Sequence, residues 1–461
     1  MSSRKMPFIW WILVCVLAIT LVSILAAYSQ SQVPAAFERA ALAERLTRQA
    51  LSKYDSKEYQ EAGRLFAEKA DDSIDPALEH YNAACAYSLA GQVIKALVEA
   101  ELAIHAGFRD PLQMAADSDL AALRATPDWP KLVAGVEKNN ADYQKTHSNP
   151  DQARIVTSDI DRFWHAYDLA SSLFTPEDRV QAYRAEYFDR GSEGLVDYFF
   201  IKIRSIEEFV SVIDKHPKFY SSIRDNTLRV SAAVPAMRVN FRKMKDLYED
   251  SVFPDVYFVV GSLTSAGTVS NRGLLLGVEQ SAGPPPSALD ELNPSVRAYV
   301  TGVGSIENIT AVVAHELVHF QQKTTKKKSL LRDVLIEGSA DFIGELASGH
   351  QTNTAAFAFG EAHQEGIWRR FEKDMHGTDD RDWIANGGSD RVSPDWVADL
   401  GYYVGYKISK GYYDRSVDKH RAIRDLLEFQ DPDMILKESG YGDQFSAVGS
   451  QSTAKGTYHQ K

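Results

Sequence analysis

Helical spacing of apolar residues dominates the first part of the chain. From residue 37 to about 145, alanine and other apolar residues recur with the period of a helix, and strand-like alternation is almost lacking. Apolar positions with this period lie on one face of a helix, which must be buried against another element. The pattern therefore predicts an all-α module of stacked helices over residues 37–145.

Two segments of this module are similar to each other. The helix that begins near Glu58 recurs at Val93, so Ala62 and Ala96 stand 34 positions apart, which is the period of tetratricopeptide repeats. The second segment resembles that repeat at Ala84, Tyr87, Gly91, Ala96 and Ala103. The first segment departs from it, with Lys69 where a small residue is usual. The resemblance implies either a surface that binds a protein partner or a packing element, and the sequence leaves both open.

The pattern changes after about residue 150. Helical periodicity continues to about residue 250. Runs that include β-branched residues then appear at 252–263 and 272–280, with a third strand-like run at 296–303. A further helix is expected to begin near Ser305. Helices before and after a small sheet predict an α+β domain over residues 150–461.

The N-terminus carries a long apolar stretch. About 20 apolar residues follow the basic pair Arg4 and Lys5, a length that suffices to cross a bilayer as a helix. We therefore expect a signal-anchor, a transmembrane helix within residues 1–30, with the bulk of the chain outside the cytoplasm, either periplasmic or extracellular. Ala27 and Ser29 form a fair small-x-small cleavage match. If the segment is cleaved, the protein is secreted.

Charge and cysteine content limit the partners and the redox chemistry. The 461 residues carry a formal net charge of −12, and phosphate binding requires a basic surface, so a nucleic-acid partner is disfavoured. The cysteines are Cys15 and Cys85. Because Cys15 lies in the apolar N-terminal stretch, no disulfide is expected. Cys85, in the middle of a repeat helix, is predicted to be a small core residue.

The stretch AVVAHELVHFQQ carries the strongest chemical signal. His315 and His319 are four positions apart, which places both imidazoles on one face of a helix, where they can converge on one ion. Glu316 projects beside that ion and stays free to take a proton from water. This spacing predicts a zinc site.

Zinc with two histidine ligands needs a third protein ligand and one open position. Glu337 lies 18 positions after His319 in LIEGSADFIGE, and Asp341 follows one helical turn later. Glu337 is the predicted third ligand. Asp341 is predicted to accept the remaining N–H of a ligand histidine. The alternative for both carboxylates is an acidic helix face exposed to solvent.

HELVH at 315–319 and EGSAD at 337–341 resemble the HExxH and ExxxD motifs of the gluzincins, the thermolysin-like zinc metallopeptidases. The resemblance covers about residues 255–410. It implies that the zinc ligands are His315, His319 and Glu337. It also implies that Glu316 is the general base and that Asp341 orients a ligand histidine.

The same resemblance implies a zincin-like fold with an antiparallel edge strand along the cleft. The candidate for that strand is the run 272–280, RGLLLGVEQ. The related metzincin motif is excluded, because Gln322 stands where it requires glycine and Thr325 where it requires histidine.

The donor that would stabilise an oxyanion is not assigned by the sequence. A helix is predicted to begin at Ser393, and Gly401 and Gly405 on it would allow close packing against a neighbour. The candidate donors are three tyrosines of this helix and three histidines: Tyr402, Tyr403, Tyr406, His350, His363 and His376. Tyrosines on a helix are more often core or interface residues, and single histidines are more often surface residues.

Two functions of different classes follow. The first is a membrane-anchored zinc metallopeptidase that hydrolyses a peptide or protein substrate with zinc-activated water and Glu316 as general base. The second is a membrane-tethered tetratricopeptide scaffold that recruits a protein partner and whose zinc site is structural or silent. Metal analysis of the purified protein separates an enzyme of the first kind from a chain without zinc.

Overall fold

The structure, a computed structural model, describes residues 32–303, 305–323, 329–384, 386, 396–429 and 431–445. The segment predicted to anchor the chain, residues 1–30, lies outside this part. Among the helices that are described, none combines the length and the apolar character needed to cross a membrane.

The described chain divides into two compact units. The first comprises the described residues up to Asn140 together with Phe188–Arg190, and the second comprises Ala141–Tyr187 and the described residues from Gly191 onwards.

The regular elements described in the first unit are helical. The α-helices that begin there are α1 (Gln32–Asp55), α2 (Tyr59–Glu68), α3 (Pro76–Leu89), α4 (Val93–His105), α5 (Pro111–Ala116), α6 (Ala121–Arg124) and α7 (Trp129–Thr146). Short 3-10 turns lie at Ala70–Asp72 and Ser118–Leu120. Asp75 and Asp110 cap the N-termini of α3 and α5, each ahead of a proline at the first helical position.

Small residues let the helices of this unit approach closely. Ala62 and Ala96 are completely buried, and a methyl group added at Gly63 would lie 2.9 Å from the ring of Tyr87. Cys85 is buried within the same core, so its prediction as a core residue is confirmed. The resemblance of this unit to a tetratricopeptide module stays a prediction.

The second unit is mostly helical with a small mixed sheet. Its α-helices before the sheet are α8 (Ser158–Ser171), α9 (Pro176–Tyr183), α10 (Glu193–Tyr198), α11 (Ile206–Lys215), α12 (Pro217–Leu228) and α13 (Val230–Leu247). Its α-helices after the sheet are α14 (Pro294–Val303), α15 (Ile309–Gln321), α16 (Leu330–Ser348), α17 (Thr354–Ala362), α18 (Gln364–Asp374), α19 (Leu400–Arg415), α20 (Lys419–Glu428) and α21 (Pro432–Ser439). Two π-helical turns, Arg184–Phe188 and Phe199–Ile203, lie at the ends of α9 and α10.

The sheet has four described strands in the order β1, β2, β4, β3. They are β1 (Ile155–Val156), β2 (Asp255–Val259), β3 (Gly267–Ser270) and β4 (Gly273–Gly277). Strand β2 pairs in parallel with both β1 and β4, whereas β3 pairs with β4 in the antiparallel sense. Every residue of β4 is buried, as expected for a continuous apolar run in the interior of a sheet.

The predicted strands at 252–263 and 272–280 are confirmed as β2 and β4. The prediction that 272–280 forms the edge of the sheet is wrong, because β4 is paired on both sides and β3 lies at the edge instead. Strand β3 has little apolar character, with the sequence GTVS. An edge strand needs only one pairing partner and can be short and polar, so its sequence signal is weak.

Two further expectations about elements require correction. The strand-like run 296–303 is part of α14, because Asn293 caps the helix by accepting a hydrogen bond from the backbone N–H of Val296 and Pro294 occupies the first helical position. These start signals outweigh the β-propensity of its valines. The helix expected from Ser393 begins at Leu400, and Ser393 itself lies outside the described residues.

Glycines bring three helices of the second unit together. The backbones of Gly338 on α16 and Gly405 on α19 are in contact, and a methyl group at either position would overlap the opposite backbone. The predicted close packing at Gly405 is thereby confirmed. Gly344 on α16 lies against the backbone of His315, since a methyl group there would be 3.2 Å from its nitrogen. These contacts hold α15 and α19 close to α16.

Candidate metal centre

Helix α15 carries the two histidines and Glu316. It follows a 3-10 turn that is capped by Ser305, whose hydroxyl accepts a hydrogen bond from the N–H of Glu307. The apolar residues of α15 are buried, with Ile309 and Val313 each 1% exposed. Because this packing holds the helix, the histidine side chains are presented in a fixed direction.

Helix α16 brings the predicted third donor to the histidines. It is capped by Ser329, which accepts from the N–H of Arg332. Oε2 of Glu337 lies 3.2 Å from Nε2 of His319 and 3.6 Å from Nε2 of His315, and the two Nε2 atoms are 2.9 Å apart. The ligand atoms of these three residues all lie within 4.8 Å of one another. The structure thus gathers the three predicted ligands at one point.

The outer nitrogen of each histidine has its own partner. Nδ1 of His315 lies 2.8 Å from Oδ1 of Asp341, which also accepts from the hydroxyl of Thr352. Nδ1 of His319 lies 2.8 Å from Oε1 of Gln322. The oxygen of Asp341 accepts this hydrogen bond from the imidazole, so Nδ1 of His315 carries a proton. The contact predicted for Asp341 is therefore present.

Burial and charge oppose each other at this cluster. Burial disfavours the protonated form of His315, but Asp341, Glu337 and Glu316 raise its pKa well above the ordinary value. Burial likewise favours the neutral form of Glu337, but His319 and His315 lower its pKa. The negative field that attracts protons to the imidazoles also attracts a metal cation, and the two compete for the same lone pairs.

A cleft of about 710 Å³ opens in front of the cluster. One wall is the segment Leu263–Val269, which includes the first three residues of the edge strand β3. Glu316 faces this wall so closely that a methyl group added at Gly267 would overlap its carboxylate. Other residues that line the cleft are Lys202, Gln280, Val296, Tyr299, Val312, Asn353, Asp399 and Tyr402.

The structure separates the six candidate donors. Tyr402 lines the cleft, with its ring centroid 6.2 Å from that of His315. Burial, with the nearby charges of Glu337 and Asp399, raises the pKa of Tyr402 well above the usual value, so its hydroxyl stays a hydrogen-bond donor.

The other five candidates do not line the cleft. Tyr406 donates to Glu345 at 2.7 Å, and the ring of Tyr403 packs edge-on against Phe357. His350, His363 and His376 are exposed.

Two residues of the site were not assigned a role from the sequence. From the sequence, Gln322, three positions after His319, indicates only that the metzincin motif is absent. A residue three positions away on a helix is a neighbour, so its spacing was a usable signal. Thr352 lies in the turn after α16 and contacts Asp341 only because the chain folds back there. No local pattern indicates that contact.

Comparison with known families gives a match to the central and C-terminal parts of the chain. A family model described as Gliding motility protein GldB matches residues 146–443, which is more than half of the chain and includes the whole sheet and the metal cluster. No curated protein and no solved structure matches the chain.

The match overturns the identification with thermolysin-like peptidases. The matched family is a gliding motility family and no peptidase family was found, so the expected function as a membrane-anchored zinc metallopeptidase, or as a tetratricopeptide scaffold with a silent site, is wrong. The expected fold class, a zincin-like α+β domain, is wrong for the same reason, because the match is to this family and not to a zincin-like fold. The tetratricopeptide-like module stays a prediction, and the expected transmembrane helix lies outside the described residues. HExxH and ExxxD specify the placement of ligands on two helices, which different folds and activities can share.

The coarse expectations about location and partners agree with the match. A gliding motility family is consistent with a location at the cell envelope and with protein partners in a motility complex. Because its model covers more than half of the sequence, the chain belongs to the gliding motility protein GldB family.

Proposed function

We propose that this chain binds zinc through His315, His319 and Glu337 and acts as a zinc-dependent hydrolase at the cell envelope. The observation that carries the proposal is the convergence of these three donors on one point at the floor of the cleft. Two imidazole nitrogens, one carboxylate and a side open to the cleft form the donor set that catalytic zinc prefers.

The hydrogen bonds around the cluster support the proposal that a cation binds between the two imidazole rings. Asp341 and Gln322 accept hydrogen bonds from Nδ1 of His315 and His319, so the two Nε2 atoms are the ones that face each other. Among the described residues no other protein donor contacts either Nε2 atom, so a shared proton or a metal ion is needed between the two rings and the carboxylate of Glu337.

Each side chain has a defined part in the proposed hydrolysis. Zinc held by such a set supplies a Lewis acid that acidifies water. Glu316 lies beside the ligands and faces the cleft, where it takes a proton from water and returns it to the leaving group. Tyr402 presents its neutral hydroxyl to the same cleft as the donor for developing negative charge.

The proposal is tested by metal analysis and by hydrolysis of small chromogenic esters, amides and phosphoesters. We expect one zinc per chain, and Glu316→Gln should keep the zinc but lose at least about 100-fold in activity, since general base catalysis contributes about 10² to 10⁴. Glu372→Gln, an exposed carboxylate on α18, is the matched control. Absence of zinc from the purified protein overturns the metal site. Bound zinc without any hydrolysis overturns the proposed enzymatic activity. Undiminished activity in Glu316→Gln overturns the proposed role of Glu316 as general base.

We further infer that the chain is held at the envelope through its N-terminus, with the residues that follow on the extracytoplasmic side. The basic pair ahead of the apolar stretch and the lipoprotein label of the family model support this orientation. Protease added to intact or outer-membrane-permeabilised cells should degrade the chain. A chain that becomes accessible only after lysis contradicts the orientation.

We infer that a protein partner binds the first unit. Support comes from its resemblance to tetratricopeptide repeats and from the assignment of the chain to a motility family. Photocrosslinking from exposed positions of α4 should capture a protein in cells, whereas exposed positions of α18 serve as the comparison. Equal or absent crosslinking from α4 contradicts the inference.

A further inference from the structure

Gln322 occupies a position at the C-terminal end of α15 that connects His319 to α16. Its Oε1 lies 2.8 Å from Nδ1 of His319, and its Nε2 donates to the carbonyl of Ile336 at 2.8 Å and to the hydroxyl of Ser339 at 3.1 Å. We propose that Gln322 is a positioning residue that sets the tautomer and ring orientation of His319 for metal binding. The proposal rests on the zinc site proposed above.

The orientation of the Gln322 amide follows from its partners. The carbonyl of Ile336 can only accept a hydrogen bond, so the amide nitrogen must face it and the amide oxygen must face His319. The Ser339 hydroxyl donates to the same carbonyl at 3.3 Å and therefore accepts from the amide. Both amide protons and the amide oxygen are thus used.

The tautomer of His319 follows in turn. An amide oxygen can only accept, so Nδ1 of His319 must carry a proton, and in the neutral ring Nε2 then carries the lone pair. Nε2 is the atom that lies 3.2 Å from Oε2 of Glu337. Without Gln322, the neutral ring could carry its proton on either nitrogen. Metal binding would then have to select the tautomer with the proton on Nδ1.

Helix α16 therefore positions all three metal donors. It supplies Glu337 directly and holds His315 through Asp341. It holds His319 through Gln322, whose amide is anchored on Ile336 and Ser339, and these two residues flank Glu337 in the sequence. A displacement of α16 would move the three donors together.

The two histidines have partners of different charge. His315 faces a carboxylate, whereas His319 faces a neutral amide. A second carboxylate in place of Gln322 would still accept the proton of Nδ1, but it would add negative charge to the site. Gln322→Glu should therefore preserve the tautomer but lose the hydrogen bonds to Ile336 and Ser339. Gln322→Met keeps the approximate length of the side chain and removes both the acceptor and the donors.

The test measures zinc affinity by competition with a chromogenic chelator, using the full chain. We expect Gln322→Met to bind zinc about 10- to 100-fold more weakly than wild type. Gln322→Glu should lose less than Gln322→Met, because it keeps the acceptor for Nδ1 and gives up only the hydrogen bonds donated to Ile336 and Ser339. Gln321→Met is the matched control, because the adjacent Gln321 bonds to the backbone of Val252 instead of to a ligand. It should lower the thermal midpoint without changing zinc affinity.

A second measurement does not depend on how the variants fold. Long-range proton–nitrogen NMR of the wild type with zinc should show the proton of His319 on Nδ1, and a proton on Nε2 overturns the proposal. Zinc affinity of Gln322→Met equal to wild type, or a loss in Gln322→Glu as large as in Gln322→Met, also overturns it. A wild type that binds no zinc refutes the proposed function itself, which is a different result from a wild type that binds zinc irrespective of residue 322.

Discussion

At the scale of single residues, the cleft brings a glycine and a carboxylate into direct contact. The backbone at Gly267 in β3 lies against Glu316, and no larger residue fits there without moving that side chain. The proposed ligands His315, His319 and Glu337 lie on two helices and not on β3. We therefore expect a substitution at position 267 to disturb the proposed general base separately from the proposed metal site.

Replacing Gly267 by alanine should push the carboxylate of Glu316 away from its present position. We expect one zinc per chain to be retained, while hydrolysis falls by at least about tenfold, because a displaced base transfers protons poorly. Metal analysis and the hydrolysis assay on the same preparation give the result. Gly366→Ala is the control, since a methyl group at Gly366 meets no atom within 4 Å. Loss of zinc in Gly267→Ala would show that the strand supports the ligands as well.

At the scale of elements, the contact between α16 and α19 connects the packing of the fold to the cluster. Gly338 directly follows Glu337, and its backbone touches Gly405 on α19. Crossings of this kind need small residues, because side chains would otherwise separate the helix axes. The position of Glu337 therefore depends on a glycine in a helix that supplies no ligand.

Alanine at position 405 should force the two helices apart. Its methyl group would overlap the carbonyl oxygen of Val334 and lie 3.1 Å from Cα of Gly338. We expect the free energy of unfolding to fall by about 1 to 3 kcal/mol, as is typical of overpacking, and zinc affinity to fall with it. Denaturant titration measures the first effect and chelator competition the second. In contrast, Gly366→Ala in α18 should raise the free energy of unfolding by up to about 1 kcal/mol. Equal stability of the two variants would contradict the close approach.

At the scale of the whole molecule, buried carboxyl groups make stability depend on pH. Burial raises the pKa of Glu79 in the first unit and of Glu279 in the second to about 7. Glu79 is surrounded by Glu44, Asp75 and His80, and its Oε2 has no hydrogen-bond partner in the described structure. Such groups keep a proton to higher pH in the folded than in the unfolded chain. Their stabilising contribution is present below about pH 4.5 and is lost as the pH rises through about 7.

Glu79→Gln should reduce this dependence, because glutamine has no charge to bury. We expect the variant to be more stable than wild type at pH 8 by on the order of 2 kcal/mol, with the advantage shrinking towards pH 4.5. Chemical denaturation between pH 4.5 and 8 measures how the free energy of unfolding changes with pH in the wild type and in the variant. The exposed Glu137→Gln on α7 should follow wild type. Parallel curves for Glu79→Gln and wild type would show that Glu79 has the same pKa in both states.

Prediction from sequence succeeded where the information is local. Cys85 and the shared face of His315 and His319 follow from the helical period of 3.6 residues, and the strands β2 and β4 follow from local runs of β-branched and apolar residues. Prediction failed for β3, whose four polar or small residues become a strand only beside β4. It also failed for the helix α14, where the start signal at Asn293 and Pro294 outweighs the valines that follow.

The amino-acid sequence by itself determined that His315, Glu316 and His319 share one helix and that Glu337 and Asp341 share the next. The spacing of side chains on a helix depends only on hydrogen bonds between residues four apart. Only the tertiary structure decided that the two helices meet, that β3 and Tyr402 border the cleft and that Gln322 holds His319. Those contacts join distant residues and depend on how the whole unit packs. The motif therefore specified a site, while the wider chain specified the family.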